Sequence, residues 1–265
     1  MNSEIATRLK LRYQPVAILF TNEKPAGALE FAEKRRGCVA SMLTAATKGK
    51  TVVFSRNTFG CPGGGVGLGF GNQFPGGFSN FLSIGAGEGY PEGEGYKKTP
   101  ELAQQFVEGL PITDVPEEYV VFKPLAQVDE TKVNPSVIVF YVNADQLSAL
   151  VVLTNYNRSS NDNVAIPFSA GCHQTCLIPF SQAQKDNPKA IVGMTDITAR
   201  PVIDADLLSF SVPFSLFKEL ESNVTGSFLD KHAWERVVKR IPEPNNIKIS
   251  DNLNKPTPPS YQGKS

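Results

Sequence analysis

Two apolar runs of the same form constrain the fold of this chain more than any other feature. Residues 15–20 and 135–140 each begin with proline, end with phenylalanine and are mostly apolar in between. Short runs of this kind predict buried β-strands. Because helix patterns alternate with strand patterns along the chain, the sequence predicts an α/β or α+β fold, a mixed sheet with flanking helices.

The chain follows the same order after each run, which suggests an internal repeat. A helix leads to a Gly-Cys pair, at 37–38 in the first case and 171–172 in the second, and a further helix leads to another strand. We therefore expect two related halves, 1–110 and 111–240, around a pseudo-twofold axis. The spacing from proline to glycine differs between the halves, so a chance resemblance stays open as the alternative.

Residues 1–240 are predicted to form a single globular domain. With 41% apolar residues, a chain of this length buries a large core. Residues 241–265 are rich in proline, asparagine and lysine, which predicts an extended C-terminal arm or tail. If the arm orders against a second copy, the protein is a homodimer.

The charge balance disfavours nucleic acid and membrane as partners, although a local patch that binds nucleic acid stays open. Twenty-six basic residues offset 26 acidic ones, so no global field draws the protein to nucleic acid or to an anionic membrane. No segment approaches the roughly 20 apolar residues that cross a bilayer, and residues 1–10 lack a signal-peptide pattern. We expect a cytoplasmic protein, in which cysteines indicate metal or redox chemistry rather than disulfides.

The cysteines are Cys38, Cys61, Cys172 and Cys176, and the first three each follow a glycine directly. Cys172 and Cys176, four residues apart, would lie on one face of a helix near the free amides of its first turn, which favour thiolates. Proline after cysteine, as in Cys61-Pro62, is found in ferredoxin sites. The sequence therefore predicts that four thiolates bind an iron-sulfur cluster of the 4Fe-4S type.

Three other interpretations of the cysteines stay open. A four-cysteine zinc site is weaker because the chain has no Cys-x2-Cys knuckle, although His173 could replace one thiol. The thiols could also be packed structural residues, since cysteine is often fully buried. A catalytic thiol, Cys172 or Cys61, ranks lower because no base is evident near either residue.

A glycine-rich segment surrounds Cys61. Residues 60–95 contain 14 of the 22 glycines, interleaved with four phenylalanines. This density predicts a loop rather than a helix or strand, and the phenylalanines predict an ordered loop that packs on the core. We expect Gly63, Gly64 and Gly65 to contact the cofactor, because glycine lets backbone approach a bulky group. No Gly-x-Gly-x-x-Gly motif occurs in the segment, which disfavours a nucleotide there.

Four cations are candidates to stabilise a negatively charged cluster. Residues 26–36 predict a helix whose last turn carries Lys34, Arg35 and Arg36, and Arg56 follows the next strand. We expect Arg36 to lie at the cofactor site. The competing account is that the first three cations complement the helix C-terminus.

Short motifs connect the chain to a known family. They are Gly-Cys at 37–38 and 171–172, Cys-Pro-Gly-Gly at 61–64 and Ser-Val-Pro at 211–213. In these segments the chain resembles the prokaryotic family catalogued as domain of unknown function 169, over about residues 5–240. The resemblance implies a prokaryotic cytoplasmic setting. It assigns no reaction, but the frequency of the family in anaerobes favours iron-sulfur chemistry.

The sequence thus predicts an iron-sulfur redox protein that transfers electrons to a redox partner or acts on a small molecule at its cluster. Whether it is an enzyme stays open. The alternative is a non-enzymatic binding or regulatory protein, in which the cysteines are structural or hold zinc and the segment at 60–95 receives a small ligand.

Overall fold

A mixed seven-stranded sheet forms the centre of the protein in a computed structural model that describes residues 1–33, 36–85 and 90–243. Lys34, Arg35 and nearly all of the predicted arm at 241–265 lie outside the described residues. The strands are β1 (Val16–Thr21), β2 (Val52–Ser55), β3 (Tyr119–Pro124), β4 (Val137–Val142), β5 (Val164–Ala165), β6 (Ala190–Gly193) and β7 (Leu208–Pro213).

The strand order across the sheet is β2-β3-β1-β4-β7-β6-β5. Neighbouring strands are antiparallel except β5 and β6, which are parallel. On one side of the antiparallel β1–β4 pair, β3 lies beside β1 and β2 lies beyond it; on the other side, β7 lies beside β4 and β6 lies beyond it. On each side, the strand that comes later in the sequence thus lies nearer the central pair. An internal repeat that relates the two sides stays a prediction.

Nine α-helices flank the sheet in the described part of the chain. They are α1 (Glu4–Arg8), α2 (Val39–Thr47), α3 (Pro62–Gly67), α4 (Phe78–Leu82), α5 (Pro100–Glu108), α6 (Ala144–Asn155), α7 (Ile178–Gln182), α8 (Phe214–Ser222) and α9 (His232–Val238). A π-helical turn, His173–Leu177, runs directly into α7. None of these helices has the length and apolar character needed to cross a bilayer.

Both faces of the sheet carry buried side chains. Along β4, Ile138 and Phe140 join one core cluster with residues of α1, α6, α8 and α9, whereas Val139 and Tyr141 join the other. This alternation follows from the two-residue period of a strand. Cys172 and Cys176 belong to the second cluster, which also contains Val39 of α2. The cysteine-bearing elements therefore cover one face of the sheet.

The predicted helix over residues 26–36 is wrong. Its described part forms turns and a single bridge, in which the Leu29 amide donates to Thr51 O (2.8 Å) and Leu29 O accepts from the Val53 amide (2.8 Å). Gly27 has a φ of +70°, which a helix does not accommodate. Pairing with the edge of β2 thus replaces the intrahelical hydrogen bonds that the local pattern favoured.

The prediction that the glycines of 60–95 exclude regular structure is also wrong. Gly63, Gly64, Gly65 and Gly67 all belong to α3, and α4 follows in the same segment. These glycines serve close packing: a Cβ at Gly64 would lie 2.7 Å from Phe59 O, and one at Gly65 would lie 2.7 Å from Gln73 Cγ. The described part of the segment packs on the core, as Phe70 is only 1% exposed.

Candidate functional site

Three of the cysteines lie where helical elements begin. Cys38 is the N-cap residue of α2 and Cys61 is the N-cap residue of α3. Cys172 precedes the π-helical turn. The first amides of a helix have no intrahelical acceptor, so a sulfur at such a position meets free N–H donors. Gly64 N–H donates to Cys61 Sγ at 3.2 Å.

The first two Gly-Cys pairs run side by side. Gly37 N–H donates to Gly60 O (3.3 Å), and a Cβ at Gly60 would lie only 2.6 Å from Gly37 O. The ring of Phe31 fills the space that side chains at both glycines would need. A Cβ at Gly37 would lie 2.2 Å from the ring, and a Cβ at Gly60 would lie 2.8 Å from it. Glycine is therefore required at both positions, and Phe31 fixes how Cys38 and Cys61 approach each other.

Helix α3 brings Cys172 to the same place. Cys172 Sγ donates to Gly63 O at 3.3 Å. A Cβ at Gly67 would lie 2.8 Å from both Cys172 Sγ and His173 N. Only a glycine allows α3 to pack this closely against the start of the π-helical turn.

Asp196, in the turn that follows β6, holds the third Gly-Cys pair. Its Oδ2 accepts from Gly171 N–H at 3.0 Å, and its Oδ1 accepts from the Tyr96 hydroxyl at 3.3 Å. Next to it, Thr195 exchanges two hydrogen bonds with the buried amide of Gln174 in the π-helical turn. The turn after β6 is thus tied to the cysteine segment at two successive residues.

The three thiols influence one another electrostatically. The pKa of Cys61 is raised to about 11, mainly by burial; the Gly64 amide opposes this increase, and the charges of Cys38 and Asp196 add to it. Burial likewise raises the pKa of Cys172, with added contributions from Cys61, Cys38 and Asp196. The pKa of Cys38 is raised by burial and, to a smaller extent, by Asp196. Cys38, Cys61, Cys172 and Asp196 therefore form one electrostatic group.

Cys176 differs from the other cysteines. It is fully buried in the π-helical turn, and burial is the sole cause that raises its pKa. The other three thiols have no resolved influence on it. The structure thus brings three of the four predicted ligands into one electrostatic group, and Cys176 stands outside that group.

The predicted cations do not act on the thiols in the described structure. Arg36 is exposed just before Gly37. Arg56 donates to Asp114 Oδ1 (2.6 Å) and Val115 O (2.6 Å) and stacks over the Phe70 ring. Among the described residues, the charged groups that shift the pKa values of the three thiols are other thiols and Asp196, and all of them raise those values.

His173 is a core residue, although it directly follows Cys172. Its Nε2 donates to Pro111 O (2.8 Å), so its Nδ1 is free to accept from the Ser169 hydroxyl (2.9 Å). Burial lowers its pKa. Both ring nitrogens are therefore occupied within the protein, which disfavours His173 as a replacement ligand for zinc.

The chemistry open to the thiols follows from their burial. A thiol with a pKa near 11 is protonated at neutral pH and is a poor nucleophile, so the catalytic-thiol interpretation gains no support. Metal binding deprotonates thiols regardless of such a shift. Among the described residues, however, no three His, Cys, Asp or Glu side chains are grouped tightly enough to hold a single metal ion.

Sequence reasoning missed Phe31 and Asp196. Phe31 acts through two glycines that follow it by six and 29 positions, and no local pattern marks that contact. Asp196 has a weak signal, because Asp-x-Thr after a strand predicts a side chain that accepts from the backbone two residues on, as Asp196 does from Thr198 N–H (3.0 Å). Its link to Gly171 becomes visible only in the folded chain.

Comparison with known proteins supports the resemblance inferred from the motifs. No curated protein and no solved structure matches the chain. A family model described as uncharacterised ArCR matches residues 4–223, which include all four cysteines and Asp196. Because this match spans most of the chain, the protein belongs to the ArCR family, domain of unknown function 169.

Proposed function

We propose that the protein is an iron-sulfur redox protein whose cluster is held by Cys38, Cys61 and Cys172. The observation that carries the proposal is the setting these cysteines share. Backbone amides at the start of the helical element lower the pKa of each thiol, namely those of Ser41 and Ala40 at Cys38, of Gly64 and Gly63 at Cys61, and of His173 at Cys172, and Gly64 N–H donates to Cys61 Sγ at 3.2 Å. Amide donors stabilise thiolates and tune the potential of a cluster.

The glycines of α3 also support the proposal, because they leave the sulfurs in contact with backbone rather than with other side chains. A Cβ at Gly67 would lie 2.8 Å from Cys172 Sγ, and a Cβ at Gly64 would lie 3.4 Å from Cys61 Sγ. No atom lies within 4 Å of the position where a side chain at Gly63 would begin. The chain therefore keeps side chains away from these sulfurs.

A cluster suits the donor set of this chain better than a zinc ion. Four-cysteine zinc sites usually consist of two Cys-x2-Cys knuckles, and the chain has none. Both ring nitrogens of His173, the candidate replacement ligand, are occupied within the protein. Zinc therefore ranks below the cluster.

A bound cluster would supply one-electron transfer. The residues of this chain would bind and orient it: Phe31 holds the first two Gly-Cys pairs together, and Asp196 holds the third. The acceptor would be a redox protein or a small molecule. All four cysteines are free thiols, which accords with a reducing cytoplasm.

The test is to purify the protein anaerobically and to measure iron, acid-labile sulfide and visible absorption. We expect brown protein with stoichiometric iron and sulfide. Cys38→Ser, Cys61→Ser and Cys172→Ser should each lose most of the iron, whereas Cys176→Ser should keep it.

Cys176→Ser is the matched control, because it makes the same chemical change in the core cluster that also contains Cys172. The sequence prediction of four thiolate ligands gives the opposite expectation for this variant, so loss of iron there would replace the three-thiolate site by a four-thiolate one. Iron and sulfide at background in the wild-type protein would end the proposal in favour of structural cysteines.

A further inference from the structure

An apolar groove lies between the first turn of α6 and the turn that follows β6. Its volume is about 450 Å³, and its lining includes Val142, Leu147, Ile197 and Leu208. Ile197 is 69% exposed, and Leu147 and Leu208 pack against the core cluster that contains Ile241. Exposed apolar side chains grouped around a groove are typical of an interaction site. The groove is therefore a candidate docking site.

The end of the described chain lies at the same helical turn. Arg240 Nε donates to Asp145 Oδ2 at 2.7 Å, and Asp145 belongs to the first turn of α6. Glu243 forms an ion pair with Lys10, whose carbonyl oxygen accepts from Gln146 Nε2 of the same turn at 3.1 Å. The last described residues are therefore held beside one wall of the groove.

The sequence that follows Glu243 contains a segment that suits an apolar groove. Residues 246–250 are Asn-Ile-Lys-Ile-Ser. In an extended chain, Ile247 and Ile249 lie on one side and Lys248 lies on the other. A helix with its side chains is about 10 Å wide, and four extended residues span about 14 Å. The chain from Glu243 to Ile247 is therefore long enough to pass around the first turn of α6.

The charged residues of the groove have partners within the protein. Asp206 accepts from Arg12 Nη2 at 2.7 Å, and Arg200 Nη2 donates to Ala205 O at 2.8 Å. An apolar segment can therefore cover the groove without leaving these charges unpaired. A second groove, of about 480 Å³, has a more strongly charged lining that includes Lys24, Glu30, Glu33, Arg56 and Glu118. Of the two, the groove beside α6 is better suited to isoleucine side chains.

We propose that Ile247 and Ile249 dock in the groove beside α6 of their own chain. Burial of apolar surface supplies the affinity, and the short connection to residue 243 makes docking within one chain more favourable than docking between copies. The docked segment covers Ile197, whose neighbour Asp196 accepts from Gly171 N–H at 3.0 Å. Docking thus holds the turn that positions the third Gly-Cys pair, and the inference does not depend on a bound metal.

The test is limited digestion of the chain 1–265 with trypsin, in which mass spectrometry follows cleavage after Lys248. Trypsin cleaves a docked segment only while it is released, so the cleavage rate reports the released fraction. Ile197→Ser removes apolar surface from the groove and leaves the cleaved segment unchanged, and we expect cleavage about 10-fold faster than in the wild type. Ile166→Ser is the matched control, because Ile166 is 65% exposed but directly follows β5 and does not line the groove. It should be cleaved at the wild-type rate.

A second arm tests whether the segment docks within its own chain. Digestion at two protein concentrations about 100-fold apart should give the same wild-type rate, because only docking between copies weakens on dilution. Circular dichroism checks the folding of each variant, and should Ile197→Ser fail to fold, Leu147→Ala changes the opposite wall and should also accelerate cleavage. Equal rates in the wild type and the folded groove variant, equal acceleration in Ile166→Ser, or faster wild-type cleavage on dilution would each overturn the proposal.

Discussion

At the scale of single residues, His173 shows how burial sets a charge state. Its ring is 2% exposed and is held by Ser169 and Pro111. Burial lowers the pKa of His173 in the folded protein below the unfolded value of 6.5. The unfolded chain thus binds more protons as the pH falls, and the stability that this residue contributes is present above about pH 6.5 and decreases below it.

We therefore predict that the free energy of unfolding decreases between pH 7.5 and pH 5.5, and that His173→Gln flattens the decrease. Urea unfolding at pH 7.5 and at pH 5.5 measures this difference in the free energy of unfolding. The exposed His232, the only other histidine, provides the control: His232→Gln should keep the wild-type dependence. An equal pH dependence in wild type and His173→Gln would show that this residue is not its origin.

At the scale of elements, packing contacts rather than helix propensity stabilise α3. Glycine costs about 1 kcal/mol relative to alanine within a helix, yet α3 contains four. A Cβ at Gly67 would lie 2.8 Å from Cys172 Sγ and from His173 N, whereas no atom lies within 4 Å of a Cβ at Gly63. The same substitution should therefore act in opposite directions within one helix.

We predict that Gly67→Ala destabilises the protein by about 1–3 kcal/mol, because the methyl group overlaps backbone that cannot move freely. Gly63→Ala should change stability by less than about 0.5 kcal/mol or increase it slightly. Chemical denaturation of both variants measures the difference. Equal effects would mean that α3 does not pack on the π-helical turn as described.

The elements also show what the sequence could predict. The strands β1 and β4 follow from the apolar runs at 15–20 and 135–140, since this signal is contained in each segment. The segment around Leu29 pairs with β2 instead of forming the predicted helix, and α3 packs on Cys172. Both outcomes depend on residues far away in the sequence, so a pattern of neighbouring residues could not predict them. For the same reason the sequence identified the Gly-Cys pairs but not Phe31 or Asp196, which hold them.

At the scale of the whole molecule, the sheet makes the predicted halves depend on each other. β1 pairs only with β3 and β4 in the described sheet, and β2 pairs with β3. The strand β3 lies beyond residue 110. A chain that ends at 110 would therefore leave both of its strands without their partners in the sheet.

We predict that a fragment of residues 1–110 does not fold, while residues 1–243, which keep all seven strands, do. Circular dichroism with urea titration would show a cooperative transition for the longer chain and none for the fragment. A cooperative transition in the fragment would show that the first half is stable without β3 and β4.

The hydrogen bond from Cys172 to Gly63 spans 109 positions of the chain. During synthesis, Cys38 and Cys61 leave the ribosome well before Cys172 is made, and β1 must wait for β3 and β4 before the sheet forms. A ligand that needs all three thiols would therefore be bound only after the chain has been made past residue 172, so its insertion would follow the synthesis of most of the protein.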